Sequence, residues 1–436
     1  MIATALSRSQ LAAYSMFSVP LAMAALPVYV HVPKLYAGEL GMPLALIGTI
    51  LLATRLLDAL QDPLLGYLSD RCARLPLGRG IPVLLGLPLL GSGFVGLFHP
   101  PQANQVGLAI WLILNLLIVY IGFSAACISY FAMGAELSDD YHERTRVTAT
   151  RGAFGLLGVL IAAAAPGLLG SDAGSGLALF SLLFLPVLIV AAFVTLRHLP
   201  RTVIVAVPKA TLRTILLPLR NAKFRWLMGV FALSGIAGAI PATLILFFVE
   251  DIVKRPDLAG VFLALYFVFG ALGMPIWIAA SRRFGKRRAW IGGMFLAVVA
   301  FVWAYFLRAG DVVPFAVVCA LSGLAYGAEL AIPPSMLADL VDAEAEQERR
   351  RPDGVYFGLW QMTEKFNLAV AAGIALPLLA WSGYGPGSGQ HQAGLLAAVY
   401  ALLPCAIKLA AAGLLWTAPL DHPATIGRIR NKEAEA

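Results

Sequence analysis

The stretch Arg55-Leu-Leu-Asp58-Ala-Leu-Gln-Asp62-Pro63 places three ionisable side chains inside an apolar segment that covers 43–70. A charge at bilayer depth costs on the order of 3 kcal/mol, so such a side chain usually faces a cavity or a partner and marks an ion or substrate path. At 3.6 residues per turn, positions 55, 58 and 62 share one face of a helix. The spacing predicts a membrane helix with two carboxylates and one guanidinium on an ion path; a static charge cluster between helices is the alternative.

The composition is that of a membrane protein. Hydrophobic residues make up 60% of the 436 residues and charged residues 13%, about half of the ~25% usual in soluble domains. About 20 apolar residues span the hydrocarbon core, and twelve such runs predict an all-α membrane protein with twelve transmembrane helices. The predicted spans are 11–36, 43–70, 82–98, 106–136, 147–170, 175–197, 224–250, 258–281, 288–307, 312–340, 355–382 and 393–418.

Basic residues concentrate in alternate connections. They cluster after the second, fourth, sixth, eighth and tenth spans and at the C-terminus, and the intervening loops carry few. Because basic loops stay on the cytoplasmic side, we expect both termini to be cytoplasmic in a multi-pass protein of the plasma membrane (the bacterial inner membrane). Topology thus accounts for the net charge of +8, and no nucleic-acid partner is expected.

Signatures of enzymes and cofactors are missing from the sequence. The chain has no Walker sequence, no glycine-rich phosphate loop and no nucleophile elbow. Its four cysteines (Cys72, Cys127, Cys319 and Cys405) are scattered, and no pair has the spacing of metal ligands. We therefore expect no catalytic activity, cofactor or metal site. The protein is also expected to be a monomer.

The two halves of the chain repeat each other. Glu136-Leu-Ser-Asp139 after the fourth span is echoed by Asp339-Leu-Val-Asp342 after the tenth, and an arginine-rich segment follows each. Repeats of this kind are typical of alternating-access transporters. The predicted domains are an N-terminal six-helix bundle (1–197), a cytoplasmic central loop (198–223), a C-terminal six-helix bundle (224–419) and a cytoplasmic tail (420–436).

Several of these segments resemble a known family. The loop 66–79 looks like the signature loop of the major facilitator superfamily. More specifically, 55–66, 130–151 and 333–365 are similar to the glycoside–pentoside–hexuronide:cation symporters, the family of the sodium/melibiose symporter. The resemblance implies a major-facilitator fold of two pseudo-symmetric six-helix bundles and cation-coupled uptake.

The same resemblance implies a cation site on the second span. Asp58 and Asp62 match the cation-binding carboxylates of the family, Gln61 stands where an amide lies, and Ser124 is near a family hydroxyl. Such oxygens suit a hard cation such as sodium, and Arg55 would balance the charge. Two neighbouring carboxylates also disfavour each other's ionised forms, so a proton could be the coupling ion instead. Sodium and proton both stay open.

Two further basic residues match family positions. Lys365 matches a lysine that faces the acids of the second span, and we expect it to balance charge and to sense whether the cation site is filled; a permanent ion pair with Glu364 or Asp58 is the alternative. Arg151 matches an arginine associated with substrate, and a salt bridge to Glu136 is its alternative.

The solute site departs from the family pattern. The sugar-binding acids of the melibiose symporter fall at about Leu21 and Cys127 here, so both carboxylates are absent. A galactoside is therefore disfavoured as the solute, and an amphipathic or less hydroxylated solute is the open alternative. Glu329, deep in the tenth span, is a candidate for an extra substrate or proton residue. The predicted cavity residues are Cys127, Tyr130, Phe131, Arg151, Glu329 and Trp360.

Charges at the cytoplasmic helix ends are expected to form gates. The acids there would pair with arginines of the same loops and close one side of the cavity. The predicted gating residues are Asp70, Arg71, Glu136, Arg144, Asp339 and Asp342.

As a whole, the sequence predicts a secondary transporter whose partners are a small solute and the membrane lipid. It would couple a sugar-like or amphipathic solute to sodium or proton entry by alternating access. A lipid or lysolipid translocase, or a solute sensor without transport, is the alternative.

Overall fold

The computed structural model describes residues 6–72, 75–137, 141–170, 173–198, 217–348, 353–381, 383–384 and 390–420. Within these ranges the chain is helical and has no strand. Twelve of the described segments are long and apolar enough to cross a membrane. The prediction of an all-α protein with twelve spans is confirmed.

Each span is one helix or two consecutive helices. Spans 1 to 6 consist of the helices Arg8–Ser15 with Ser18–Lys34, Leu44–Cys72, Gly80–Phe98, Gln105–Glu136, Tyr141–Leu169 and Ala173–His198. Spans 7 to 12 consist of the helices Ala222–Phe248, Ala259–Phe284, Lys286–Val302, Val312–Glu348, Asp353–Trp381 and Gln390–Ala397 with Leu403–Thr417. Short π-helical turns at Leu35–Glu39, Val249–Val253 and Ala398–Leu402, and 3₁₀ turns at Leu217–Arg220, Pro256–Leu258 and Trp303–Phe306, complete the helical structure.

Some helices run beyond the apolar segments that predicted them. The helix of span 10 ends at Glu348, whereas its apolar run ends near 340. The sequence Ala-Glu-Ala-Glu-Gln-Glu at 343–348 consists of strong helix formers, so the helix continues after the residues stop being apolar. Most of the predicted loop 198–223 and tail 420–436 lies outside the described residues, and the domain boundaries stay a prediction.

Glycines allow neighbouring helices to approach closely. A Cβ on Gly122 of span 4 would lie 2.4 Å from the backbone nitrogen of Leu90 in span 3, and one on Gly323 of span 10 would lie 2.3 Å from the carbonyl oxygen of Tyr266 in span 8. Small residues take such positions in membranes because helix association there depends on close packing.

Among the described residues, the two bundles pack together towards one end. Spans 2 and 11, spans 5 and 8, and spans 1 and 7 contact each other across the bundles. The larger core of buried residues joins the first bundle to one half of the second, whereas the smaller core contains only second-bundle residues from the opposite half. We call the joined end, where span 1 ends and span 2 begins, the closed end. The opposite end, where the basic clusters lie, is called the basic end.

Ion pairing and close packing hold the closed end together. Lys34 of span 1 forms an ion pair with Glu250 of span 7. A Cβ on Gly48 of span 2 would lie 2.8 Å from Pro377 Cδ of span 11, so the helices touch without room for a larger residue. Spans 1 and 7 both end here in a π-helical turn, as repeat-related elements would.

Candidate functional site

Asp58 is the centre of a polar cluster between spans 2, 4 and 11. Its side chain is only 1% exposed. Oδ1 accepts hydrogen bonds from Gln61 Nε2 at 3.0 Å and from Ser124 Oγ at 2.9 Å. Oδ2 lies 3.2 Å from Arg55 Nη1 and 3.2 Å from Lys365 Nζ. Asp58 lies three residues after Arg55 and three before Gln61, about one helical turn in each direction, so it can contact both side chains.

Lys365 reaches this cluster from the other bundle. Its ammonium nitrogen lies 2.5 Å from Asp62 Oδ2 and 2.8 Å from Ser124 Oγ, in addition to Asp58. The three N–H donors of the ammonium thus have three oxygen acceptors. Of the two residues given as alternative ion-pair partners, Asp58 pairs with Lys365, and Glu364 forms no ion pair with it in the described structure.

One carboxylate oxygen in the cluster is left without a partner. Asp62 Oδ1 is buried and accepts no hydrogen bond, although burying such an atom unpaired costs about 1–3 kcal/mol or more. The other charges are compensated: Arg55 pairs with Asp58 and stacks its guanidinium 4.3 Å from the centre of the Tyr120 ring. Two carboxylates and two cations make the cluster neutral as it stands.

Chemically, the cluster consists of hard oxygen ligands that surround a cationic side-chain group. Asp58, Asp62 and Ser124 surround the ammonium group of Lys365. Gln61 uses its nitrogen on Asp58, so its carbonyl oxygen is available. Oxygen ligands of this kind bind hard metal cations, and a carboxylate can also take up a proton. The structure brings together all six residues predicted for cation binding and charge balance; their roles stay a prediction.

Two of the predicted cavity residues are packing residues in this structure. Tyr130 is stacked on Tyr14 with ring centres 4.5 Å apart, and each hydroxyl donates to the other's backbone carbonyl. Trp360 is stacked on Phe231 with ring centres 3.6 Å apart. Both side chains are buried in this structure, and their place at a solute cavity stays a prediction. Aromatic residues pack against each other because stacking adds to the gain from burial.

The other predicted residues of the first bundle are partly exposed. Cys127 and Phe131 lie one turn apart in span 4. The guanidinium of Arg151 lies 4.1 Å from the centre of the Phe131 ring. The alternative pairing of Arg151 with Glu136 concerns a side chain outside the described residues. Arg151 and Phe131 therefore place a cationic group between span 4 and span 5.

Glu329 lies in a buried ion pair within the second bundle. Its Oε1 accepts from Lys408 Nζ at 3.0 Å, from Ser234 Oγ at 2.7 Å and from Trp290 Nε1 at 3.0 Å. Sequence reasoning left Glu329 without a partner because Lys408 is 79 residues away. The signal that could have found the pair is the lone lysine in the apolar run of span 12.

Only part of the predicted gate lies in the described structure. Asp339 pairs with Lys286 at 2.6 Å, within the second bundle. The partner is thus a lysine of span 9; several of the arginines expected to pair with Asp339 lie outside the described residues, so that pairing stays a prediction. Arg71 is exposed. The side chains of Asp70, Glu136, Arg144 and Asp342 lie outside the described residues. The ion pair between Lys34 and Glu250 at the closed end, which does join the bundles, was not predicted.

Twelve spans in two bundles that meet at one end define a transporter of the major-facilitator class. A bacterial homologue of the human lysosomal transporter Spinster, solved in an inward-facing and unoccupied conformation, has a TM-score of 0.67 and 14% identity, with 94% of each chain covered. This likeness concerns the fold.

Sequence comparisons assign the chain to a family within that class. The family model for MFS/sugar transport proteins matches residues 11–422. The putative glycoside/cation symporter YagG of Escherichia coli (strain K12) is 26% identical, over 84% of this chain and 81% of its own length. The isoprimeverose transporter of Lactiplantibacillus pentosus is 23% identical, over 80% and 75%.

The chain therefore belongs to the glycoside–pentoside–hexuronide:cation symporter family of the major facilitator superfamily. It is a multi-pass membrane protein and a secondary transporter rather than an enzyme, as the sequence predicted.

Proposed function

We propose that this protein couples the entry of a small hydroxylated solute to the entry of sodium by alternating access. The observation that carries the proposal is the position of Lys365. Its ammonium group lies among oxygens of Asp62, Ser124 and Asp58 at 2.5, 2.8 and 3.2 Å, where it takes the place of a cation.

Lys365 acts in this proposal as a tethered competitor of the coupling ion. A sodium ion among the same oxygens would repel the ammonium group, since two unit charges 4 Å apart interact by about 4 kcal/mol at an effective dielectric constant of 20. Binding of sodium therefore requires Lys365 to withdraw. Asp62 Oδ1, buried and unpaired, is then free to become a ligand.

Withdrawal of Lys365 links the ion to the movement of the bundles. Lys365 belongs to span 11 of the second bundle, and its partners belong to spans 2 and 4 of the first. When the cation site is empty, the ion pair of Lys365 joins the two bundles. When sodium fills the site, this ion pair is broken. A ligand shifts a conformational equilibrium only through different affinities for the two states, and this bridge supplies the difference.

The number of oxygen ligands in the cluster favours sodium over a proton as the coupling ion. Two carboxylates, one amide and one hydroxyl converge on the cluster, whereas a proton requires a single carboxylate. Arg55 and Lys365 both stabilise the ionised carboxylates. The experiment below can instead identify the proton as the coupling ion.

The direction of opening follows from the charge of the loops. Basic loops stay on the cytoplasmic side, so the basic end would face the cytoplasm of a bacterial cell and the closed end the outside. With the bundles joined at the closed end, the structure would represent a state open to the cytoplasm.

The first test measures the thermal unfolding of the purified full-length protein in detergent. Sodium, lithium and choline chlorides are compared at pH 6 and pH 8. A ligand at 100 times its dissociation constant stabilises the folded state by about 2.7 kcal/mol, so we expect a clear sodium-specific shift. Asp58→Asn should abolish it.

The matched control is Asp257→Asn, the same chemical change at an exposed carboxylate of the closed end. It should keep the sodium shift of the wild type. A pH-dependent shift that Asp58→Asn abolishes, without any sodium effect, would identify the proton as coupling ion. No response to either ion would refute the proposal.

A further inference from the structure

A cavity that the ion cluster does not explain lies between the second bundle and span 1 of the first bundle. It encloses about 110 Å³ between spans 1, 7, 8, 9, 10 and 12, several times the volume that one water molecule needs. Glu329 and Lys408 lie near the middle of their spans, and the walls extend from there towards the closed end. The walls include Tyr29, Tyr266, Tyr326 and Tyr400.

One oxygen of Glu329 is free to bind a ligand. Oε1 accepts all three hydrogen bonds, from Ser234, Trp290 and Lys408, and Oε2 accepts none from the described residues. Lys408 has no free donor, because its ammonium group also reaches the carbonyl oxygen and the hydroxyl of Ser234. The pair therefore has one hydrogen-bond acceptor left, Glu329 Oε2, and a hydroxyl group of a ligand can donate to it.

Charge restricts the ligand further. Glu329 and Lys408 cancel each other, and a charged solute would add an uncompensated charge at bilayer depth. A neutral solute adds none. The rings of Tyr266 and Tyr326 lie parallel to within 26°, with centres 5.3 Å apart. Apolar and aromatic walls with a few polar groups are typical of small-molecule sites.

The internal repeat indicates why the acceptor lies in this bundle. The two copies are 203 residues apart (342 − 139), so Glu329 corresponds to Ala126, next to Cys127. The first bundle thus has no carboxylate at the equivalent position, and the second copy supplies one.

We propose that the cavity around Glu329 is a solute site for a neutral hydroxylated ring, such as a methyl pentoside or hexoside, whose hydroxyls donate to Glu329 Oε2. The site rests on the proposed symport function and assigns its solute recognition to the second bundle. The Glu329–Lys408 pair stays intact during the cycle because both residues belong to that bundle.

The test measures the thermal unfolding of the full-length protein in saturating sodium chloride with methyl β-D-glucoside, methyl β-D-xyloside or methyl β-D-glucuronide. We expect at least one neutral glycoside to stabilise the wild type and the anionic glucuronide to have no effect. Glu329→Gln should weaken binding of the neutral glycoside about tenfold or more, since it removes a hydrogen bond to a charged group. Stabilisation by the glucuronide alone, or by none of the three, would refute the proposal.

Two more variants separate recognition from folding. The double variant Glu329→Leu with Lys408→Met removes both charges, and such replacements often leave stability unchanged or raise it. Gly238→Leu fills the cavity at a residue whose added Cβ would meet no atom within 4 Å. Both should keep the sodium shift and lose the glycoside shift, whereas Asp257→Asn should keep both.

The sodium shift keeps the two proposals distinguishable. A missing sodium shift in the wild type refutes sodium coupling, and the glycoside comparison can still be read. An intact sodium shift together with full glycoside binding by the double variant refutes the site at Glu329.

Discussion

Two buried charge clusters differ in which parts of the molecule they join. The first joins Lys365 of the second bundle to Asp58 and Asp62 of the first. The other joins Glu329 to Lys408 within the second bundle. A rocking movement of the bundles must break the former and can leave the latter intact. The comparison suggests that charges across the interface couple the ion to movement, whereas charges within a bundle form a fixed site.

The largest effect is expected for Lys408→Met. It leaves Glu329 buried without an opposite charge among the described residues, and loss of one partner of a buried pair costs about 3–5 kcal/mol. Sodium should not restore the stability, because no ion site is formed there. Unfolding in detergent with sodium and with choline measures both effects; recovery in sodium would contradict the comparison.

Lys365→Met should cost less and should respond to sodium. Lys365 and Asp62 are 17% and 20% exposed, so water screens part of the lost interaction, and we expect a loss of roughly 2 kcal/mol in choline. Sodium then binds without its competitor, and its titration midpoint should fall below that of the wild type. An unchanged or raised midpoint would show that Lys365 does not compete with the ion.

A smaller effect is expected at the third ion pair, Lys34 with Glu250, which also joins the bundles. The Glu250 side chain is 41% exposed, so Glu250→Gln should weaken the closed end by only about 1 kcal/mol. That change corresponds to about a fivefold shift in population.

Cys319 is a native reporter for this shift. It lines the cavity and is buried. With the other three cysteines replaced by alanine, a membrane-impermeant maleimide in proteoliposomes should label it about five times faster in Glu250→Gln. Equal labelling rates in the two backgrounds would mean that the pair does not hold the closed end.

The smallest effect is expected for Arg255→Gln. Arg255 pairs with Asp257 two residues away, and both side chains are about half exposed. Because the pair neither joins the bundles nor is buried, we expect no measurable change in unfolding temperature or in Cys319 labelling. A sodium-dependent change in this variant would connect the closed-end loop to the ion cluster and weaken the distinction between the clusters.

Local spacing allowed much of the ion cluster to be predicted. Arg55, Asp58 and Asp62 lie on one helical face wherever that helix packs, and the family resemblance added Gln61, Lys365 and Ser124. Exposure could not be predicted in the same way. Tyr130 and Trp360 were expected at the cavity, but each is buried against an aromatic partner, Tyr14 and Phe231, that is distant in sequence.

The sequence by itself determined the twelve apolar helices, their order and the residues that carry charge in the membrane, because hydropathy and helical period are local properties of the chain. Only the tertiary structure decided which charges meet. The pairs Lys365 with Asp62 and Lys408 with Glu329 span 303 and 79 residues, and whether a pair joins two bundles or stays within one depends on how the helices pack.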